Sequence, residues 1–221
     1  MTTNTSQSET LQTSKVLSKI LDDEKKIHSE KRSDTRQLLC VPVQVYEERF
    51  DSTLNGFTRD ISTQGVCLIM RQPFRVGAKA TISVFGKNTK KTSSAKCCWS
   101  SKFGSAYWVS GWQLINGNCP VGRLLKDDRL VEPNQRDSDR MNVALPVNIF
   151  IPGNTTHIPG FTRNLSKSGI CLMSKAETKA GQKANLEIMQ LSGETGRFES
   201  HCMWAEQYDD ENWVSGWKFN A

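Results

Sequence analysis

Apolar and polar residues alternate in short runs along most of the chain, and these runs come in two similar sets. Runs of about four to nine residues that alternate with a period near two, or are continuously apolar as in a buried strand, are typical of β-strands when turn residues separate them. Several such strands in each set predict a small antiparallel barrel or sandwich, formed twice. The clearest runs are Leu38–Tyr46, Val66–Met70, Ala80–Phe85, Ala95–Ser100 and Trp108–Trp112 in the first set, and Leu145–Phe150, Ile170–Met173, Ala184–Met189, Ser200–Ala205 and Trp213–Trp217 in the second.

Two short strings recur in register and show that the two sets are copies of one domain. Gly56–Leu68 reads GFTRDISTQGVCL and Gly160–Leu172 reads GFTRNLSKSGICL, with eight of the thirteen positions identical. Upstream, Arg32–Arg36 (RSDTR) is matched by Arg136–Arg140 (RDSDR), and both pairs are offset by 104 residues. A repeat held over that distance indicates a duplicated domain. We therefore expect an N-terminal tail and helix over residues 1–31, a first domain over 32–131 and a second over 132–221.

The residues between the apolar runs predict the connecting elements. Apolar residues at helical spacing from Glu9 to Lys31 predict an amphipathic helix, packed on the first domain or on a dimer partner, with docking of an effector as the alternative. The sequences Leu54–Gly56 and Ile158–Gly160 predict turns. Lys87, Lys90, Lys91 and Lys96 predict a basic, hairpin-like segment, interpreted as a solvated loop with contact to an anionic partner as the alternative. A short helix is expected over Pro120–Arg129.

Charge is distributed unevenly over these parts. The chain of 221 residues has a formal net charge of +6, of which residues 1–31 carry 0, residues 32–131 carry +8 and residues 132–221 carry −2. The excess of positive charge belongs to the first copy alone. This disfavours binding of nucleic acid over the whole surface of the protein and favours an anionic partner bound locally.

The cysteines and histidines give no pattern of a metal site or a disulfide framework. The seven cysteines are an odd number without CxxC spacing, and the three histidines show no ligand spacing with them. No signal peptide and no apolar run of membrane-spanning length are found, so we expect a cytoplasmic location. No nucleophile–base pair or catalytic carboxylate pair is recognisable, and we expect no enzymatic activity and no cofactor.

The two recurring strings carry complementary recognition chemistry. Each guanidinium of an Arg-x-x-x-Arg string is a planar fork that fits phosphate oxygens or the O6/N7 edge of guanine. In the second string, the Asp60 carboxylate can accept hydrogen bonds from guanine N1–H and N2–H₂, Ser62 adds a hydroxyl, and Gly65 permits a tight turn or a close backbone approach. Asn164, Ser166 and Gly169 occupy the equivalent positions in the second copy.

These paired strings resemble the PilZ domain, and the resemblance covers about residues 32–221 in two tandem copies. The family implies a mainly β fold of six-stranded antiparallel barrels that bind the bacterial second messenger cyclic di-GMP. By that resemblance, the loop arginines grip phosphate and guanine, and the Asp/Asn-x-Ser-x-x-Gly string forms the barrel-surface part of the site. The implied ligand-binding residues are Arg32, Arg36, Asp60, Ser62 and Gly65 in the first copy, and Arg136, Arg140, Asn164, Ser166 and Gly169 in the second.

The resulting hypothesis is a non-enzymatic cyclic di-GMP receptor that converts binding into a domain reorientation read by a protein effector, in motility, biofilm or exopolysaccharide control. The first copy is expected to bind more tightly, and a homodimer stays open. The alternative is a nucleic-acid-binding or protein-interaction barrel without preference for the cyclic dinucleotide. Trp108, Trp112, Trp213 and Trp217 are expected in the core or at the barrel rim rather than stacked on bases. Arg59 and Arg163 either reach a phosphate or form outward ion pairs.

Overall fold

The protein folds into two compact units, each built around one β-barrel. The computed structural model describes residues 15–20, 22, 36–115, 119–130, 140–190 and 193–220. One unit comprises Arg32–Asn134 with Leu191–Gly193, and the other comprises Met1–Lys31, Gln135–Gln190 and Glu194–Ala221. Each unit is described here by itself.

The first barrel is a closed antiparallel sheet. Six long strands follow one another around it in the order β3-β2-β5-β6-β7-β4, and pairing of β3 with β4 closes the ring. A two-residue strand, β1, pairs with the C-terminal end of β3. The strands are β1 Gln37–Leu38, β2 Pro42–Tyr46, β3 Leu54–Ile61, β4 Gly65–Met70, β5 Lys79–Phe85, β6 Lys90–Phe103 and β7 Tyr107–Leu114, and helix α1 (Val121–Leu130) follows.

The second barrel repeats this topology. Its order is β11-β14-β13-β12-β9-β10, closed by pairing of β10 with β11, and the two-residue β8 lies against β10 as β1 lies against β3. The prediction of two six-stranded antiparallel barrels is therefore confirmed. The strands are β8 Met141–Asn142, β9 Pro146–Phe150, β10 Ile158–Leu165, β11 Gly169–Ser174, β12 Lys183–Met189, β13 Thr195–Gln207 and β14 Trp213–Phe219.

The barrel interiors hold the apolar residues of the alternating runs. Trp112 and Trp217 are the largest fully buried side chains, and each indole N–H donates to a serine two residues earlier, Ser110 or Ser215, at 2.8 Å. A buried indole with its N–H satisfied contributes its full apolar area to the core. The expectation of core or barrel-rim packing is thus confirmed as a core position for Trp112 and Trp217, and Trp108 and Trp213 are half-buried.

Helical residues near the N-terminus pack on the second barrel, not on the first. Residues 15–20 form helix, and Leu17 and Ile20, one turn apart, are each only 2% exposed. Val16 contacts the edge of the barrel at Gly196, and Lys19 forms an exposed ion pair with Glu194 at 2.6 Å. The amphipathic helix is therefore confirmed where the structure describes it, but its predicted place on the first domain is wrong.

Two of the predicted loops are strands. Leu54–Gly56 begins β3 and Ile158–Gly160 begins β10, so no turn forms there. Glycine occurs in these strands because a Cβ at Gly56 would lie 2.7 Å from the carbonyl oxygen of Ile69, and one at Gly160 would lie 2.8 Å from that of Met173. The hairpin-like lysine segment is a hairpin, in which Lys87 lies in the connection between β5 and β6 while Lys90, Lys91 and Lys96 lie in β6.

Candidate ligand-binding site

The arginine string and the Asp/Asn string meet in each barrel at a part-buried contact, with Asp60 5% and Asn164 3% exposed. In the first, Nη1 of Arg36 donates to Oδ1 of Asp60 at 2.5 Å, with the Arg36 side chain 25% exposed. In the second, Nη1 of Arg140 donates to Oδ1 of Asn164 at 3.1 Å. The first contact is an ion pair and the second a charge–neutral hydrogen bond, which is the weaker of the two types. Arg32 and Arg136 lie outside the described residues.

The short strands β1 and β8 place the arginines. Gln37 and Leu38 pair with Ile61 and Asp60, and this pairing holds the preceding residue, Arg36, within reach of the Asp60 carboxylate. A register shift between Thr58 and Asp60 makes Arg59 a β-bulge, and such bulges redirect neighbouring side chains. The same pairing of Asn142 with Asn164, and the same bulge at Arg163, recur in the second barrel.

A buried threonine fixes the segment that follows each arginine, and sequence reasoning missed it. Thr58 is fully buried, its Oγ1 accepts from the N–H of Val41 at 3.0 Å, and its hydroxyl donates to the carbonyl of Leu39. Thr162 repeats this arrangement, accepting from the N–H of Leu145 at 2.9 Å and donating to Val143. The signal was present in the sequence, since threonine occupies the same position in both GFTR strings.

Ser62 and Gly65 shape the turn between β3 and β4. The Ser62 N–H donates to the Gly65 carbonyl at 2.8 Å, and the Gly65 N–H donates back to the Ser62 hydroxyl at 3.1 Å. Ser62 is only 3% exposed, so its hydroxyl is first of all a turn-forming group. Ser166 and Gly169 form the same pair, with distances of 2.9 and 3.2 Å.

Close backbone approach explains the glycine of this turn. A Cβ on Gly65 would lie 2.9 Å from the carbonyl oxygen of Trp112, and one on Gly169 would lie 2.3 Å from that of Trp217. Neither glycine has a positive φ angle, so the requirement is space across the sheet. Of the two roles predicted for this residue, the structure shows the close approach.

An exposed tryptophan lies in the same cross-strand row as Asp60. Asp60 pairs with Cys67, Cys67 with Gly111 and Gly111 with Trp99, across four neighbouring strands. A Cβ on Gly111 would fall 2.1 Å from Nε1 of Trp99, so the indole lies flat over the glycine, towards the carboxylate. At a strand spacing of about 4.8 Å, Gly111 and Asp60 are separated by roughly 10 Å. Trp99 is 39% exposed and offers a ring face in the same row as the arginine–carboxylate pair.

The tryptophan row is repeated in the second barrel. Asn164, Cys171, Gly216 and Trp204 pair in the same sequence, and a Cβ on Gly216 would lie 2.1 Å from Nε1 of Trp204. The sequence prediction assigned no role to Trp99 or Trp204, because the register that aligns them with the motif involves three other strands.

A family model for the PilZ domain matches the chain twice, over residues 30–116 and 134–221. The two matches cover well over half of the sequence. The chain belongs to the PilZ domain family.

Several solved structures are similar to this PilZ protein at low identity. PlzA from Borreliella burgdorferi, in complex with c-di-GMP, is 15% identical with a TM-score of 0.33, covering 92% of this chain and 93% of that one. YcgR from Escherichia coli, also in complex with c-di-GMP, is 12% identical with a TM-score of 0.34, covering 81% and 76%. The MrkH–c-di-GMP complex from K. pneumonia is 9% identical with a TM-score of 0.35, covering 82% and 79%. No curated protein matches the sequence.

The arginine inside each PilZ motif is buried. Arg59 is 7% and Arg163 is 3% exposed, so neither side chain points outward into solvent as one of the two predictions had it. The Arg163 guanidinium lies over the ring of Tyr208, 5.6 Å from its centroid. Both arginines are thus as buried as Asp60 and Asn164, which are 5% and 3% exposed.

The buried thiols are not set up for nucleophilic chemistry. Burial raises the pKa of Cys97 and of Cys119 to about 11, and it raises the pKa of Cys202 as well. A thiol with a raised pKa stays protonated at neutral pH and reacts slowly. Within the described ranges, no cluster of three or more His, Cys, Asp or Glu side chains could hold a metal ion, and none of the described helices has the length and apolarity to cross a membrane.

Proposed function

We propose that the protein is a cyclic di-GMP receptor in which each PilZ domain carries one recognition surface. The observation that carries this proposal is the direct, part-buried contact of Arg36 with Asp60 in the first barrel. A guanidinium and a carboxylate side by side match the two needs of a guanine nucleotide, since phosphate accepts from the arginine and the guanine N1–H/N2–H₂ edge donates to the carboxylate.

The contact also prepares the site for its ligand. Arg36 is held by Asp60 and by the pairing of Gln37 with Ile61, so less side-chain freedom is lost when a phosphate binds. Trp99 supplies a stacking face in the same row, where a purine ring would gain about 1–3 kcal/mol. The Ser62–Gly65 turn leaves space for a ligand. Its Ser62 hydroxyl and Gly65 N–H bond to each other, and Gly65 has no side chain that would project into the site.

Binding to the arginine segment is the basis of the signalling step that we include in the proposal. Arg32 and Arg36 follow the N-terminal residues, and Arg136 and Arg140 follow the connection between the domains. Arg36 and Arg140 already contact the barrels, and ligand that also engages Arg32 and Arg136 changes the orientation of the elements that precede them. A protein effector then reads the new arrangement, with motility, biofilm formation or exopolysaccharide synthesis as the output.

Isothermal titration calorimetry with cyclic di-GMP tests the receptor proposal. The wild type is expected to bind, and Arg36→Ala and Arg140→Ala are each expected to remove one class of site. Arg75→Ala removes an exposed arginine of the first domain outside the motif and is the matched control. Absence of binding by the wild type refutes the receptor function, whereas wild-type affinity in both motif variants refutes the site. Small-angle scattering with and without ligand checks the reorientation, which an unchanged profile at saturation would exclude.

A further inference from the structure

The β5–β6 hairpin of the first barrel is a lysine-rich surface outside the PilZ motif. Lys79–Phe103 contains six lysines and no acidic residue. The equivalent segment of the second barrel, Lys183–Gln207, contains one lysine, one arginine, one histidine and four acidic residues. The two hairpins have the same fold, so the difference in charge is not needed to form the barrel.

Strand register places the basic and hydroxyl groups of this hairpin on its outer face. Lys79 pairs with Lys96, Thr81 with Ser94, Ser83 with Thr92 and Phe85 with Lys90. Lys79, Lys90 and Lys96 are exposed, while the residues between these pairs, such as Ile82 and Ala95, point into the core. We call this outer face, formed by Lys79, Thr81, Ser83, Phe85, Lys90, Thr92, Ser94 and Lys96, the lysine ribbon.

The lysine ribbon carries charges that do not serve the stability of the sheet. Lys79 lies directly opposite Lys96, and like charges in that relation destabilise a strand pair. The residues paired with the ribbon from the flanking strands are Gln44 and Tyr46 of β2 and Gln113 of β7, so no carboxylate offsets the lysines there. In the second barrel, Glu187 and Arg197 form a cross-strand ion pair at 2.8 Å at the position of Ser83 and Thr92.

We propose that the lysine ribbon docks the phosphate backbone of a nucleic-acid duplex. Lysine, serine and threonine are the side chains that commonly contact phosphate oxygens, and they set register without reading sequence. A protein partner is a poorer fit, because protein interfaces are depleted of lysine and centre on buried aromatic or apolar anchors. Phe85, half-buried beneath Lys90 at 5.1 Å, does not provide such an anchor.

A duplex fits the ribbon better than an unpaired strand does. Single-stranded binding depends on aromatic rings on which successive bases stack. Among the described residues, Tyr46 presents an exposed ring beside the ribbon, at 52%, and Trp99 presents one farther along β6, at 39%, in the row of Asp60; these two rings form no continuous platform along the ribbon. A duplex needs only phosphate contacts, which lysines spaced along a twisted two-stranded ribbon can supply.

Fluorescence anisotropy of the full-length protein with a labelled duplex of about 20 base pairs tests this proposal at salt concentrations from about 50 to 200 mM. Three exposed lysines predict a slope of log affinity against log salt of about −3. The variant Lys79→Ser/Lys96→Ser should bind roughly tenfold or more weakly at low salt and reduce the slope by about 2. Lys183→Ser, the equivalent change in the second barrel, should leave both quantities as in the wild type.

Several outcomes would overturn the proposal. They are no duplex binding at low salt, equal binding by the double lysine variant, and tighter binding of the matching single strand than of the duplex. Lysine-dependent binding to phosphatidylglycerol vesicles without binding to the duplex would assign the ribbon to a membrane surface. The same result with polyglutamate would assign it to an acidic protein. Thermal unfolding of each variant shows that a loss of binding is not a loss of fold, and the proposal stands or falls separately from cyclic di-GMP binding.

Discussion

The two PilZ domains share one backbone and differ in the charges that it carries. At the motif, the first domain has an Arg36–Asp60 ion pair where the second has an Arg140–Asn164 hydrogen bond. At the hairpin, six lysines without an acid stand against a segment with four acids. The buried threonine, the Ser–Gly turn and the glycine under the tryptophan are the same in both. The residues that the barrel fold requires are therefore the same in both copies, whereas the charges that a binding partner would contact differ.

The glycine of the Ser–Gly turn should be the most sensitive of the shared positions. Gly169→Ala forces a Cβ to 2.3 Å from the Trp217 carbonyl, and Gly65→Ala forces one to 2.9 Å from that of Trp112. We expect a loss of about 3 kcal/mol in the free energy of unfolding of the second domain, and about 1 kcal/mol for the first. Hydrogen exchange followed by mass spectrometry measures the two domains separately.

Gly122→Ala is the control for these variants. Nothing lies within 4 Å of a Cβ at Gly122, which is in helix α1. Because alanine is the better helix former, this change should be neutral or stabilising by up to about 1 kcal/mol. Equal losses for Gly65→Ala and Gly169→Ala, or a comparable loss for Gly122→Ala, would show that the difference in approach distance does not matter.

Exchanging the acceptors of the two motifs tests whether their charge sets the difference in ligand affinity. Asp60→Asn should weaken cyclic di-GMP binding at the first site about tenfold, and Asn164→Asp should strengthen it at the second by a similar factor. Each change is measured by calorimetry in a chain whose other site is disabled, by Arg140→Ala or Arg36→Ala respectively. If both exchanges lower the affinity, the site depends on each residue's own surroundings and not on the acceptor's charge.

Charge changes within the two hairpins should give the smallest effects. Lys79→Glu places a carboxylate opposite Lys96 and should stabilise the first domain by about 0.5 kcal/mol. Glu187→Lys replaces the pair with Arg197 by a repulsion and should destabilise the second domain by a similar amount. Urea unfolding at low and high salt measures both, and effects that do not shrink with salt would contradict an electrostatic origin.

The sequence predicted the barrels well because strand length, alternation and repetition are local signals. It predicted Leu54–Gly56 wrongly, because Asn and Gly together usually mark a turn, and only the packing of β3 against Met70 and Ile69 explains a glycine there. The hairpin from Lys87 to Lys96 was predicted as solvated because lysine is depleted in strands. In β6, Lys90 and Lys96 are nevertheless strand residues, exposed on its outer face.

The candidate site was predicted in part for equally physical reasons. Arg36, Asp60, Ser62 and Gly65 were singled out because their side-chain chemistry and spacing could be read along the chain, and the structure brings them together at one edge of the barrel. Their role in binding remains a prediction. Trp99 could not be found in this way, because its place beside the carboxylate depends on the registers of β3, β4, β6 and β7 and on a bulge in β6.

The N-terminal helix changes how the protein can be divided for experiments. Leu17 and Ile20 belong to the unit of the second barrel, although more than a hundred residues separate them from its first strand along the chain. A fragment that starts between the two repeats lacks Leu17 and Ile20, and it exposes the surface at Gly196 that Val16 covers. The duplicated unit of sequence and the unit of folding are therefore not the same piece of polypeptide.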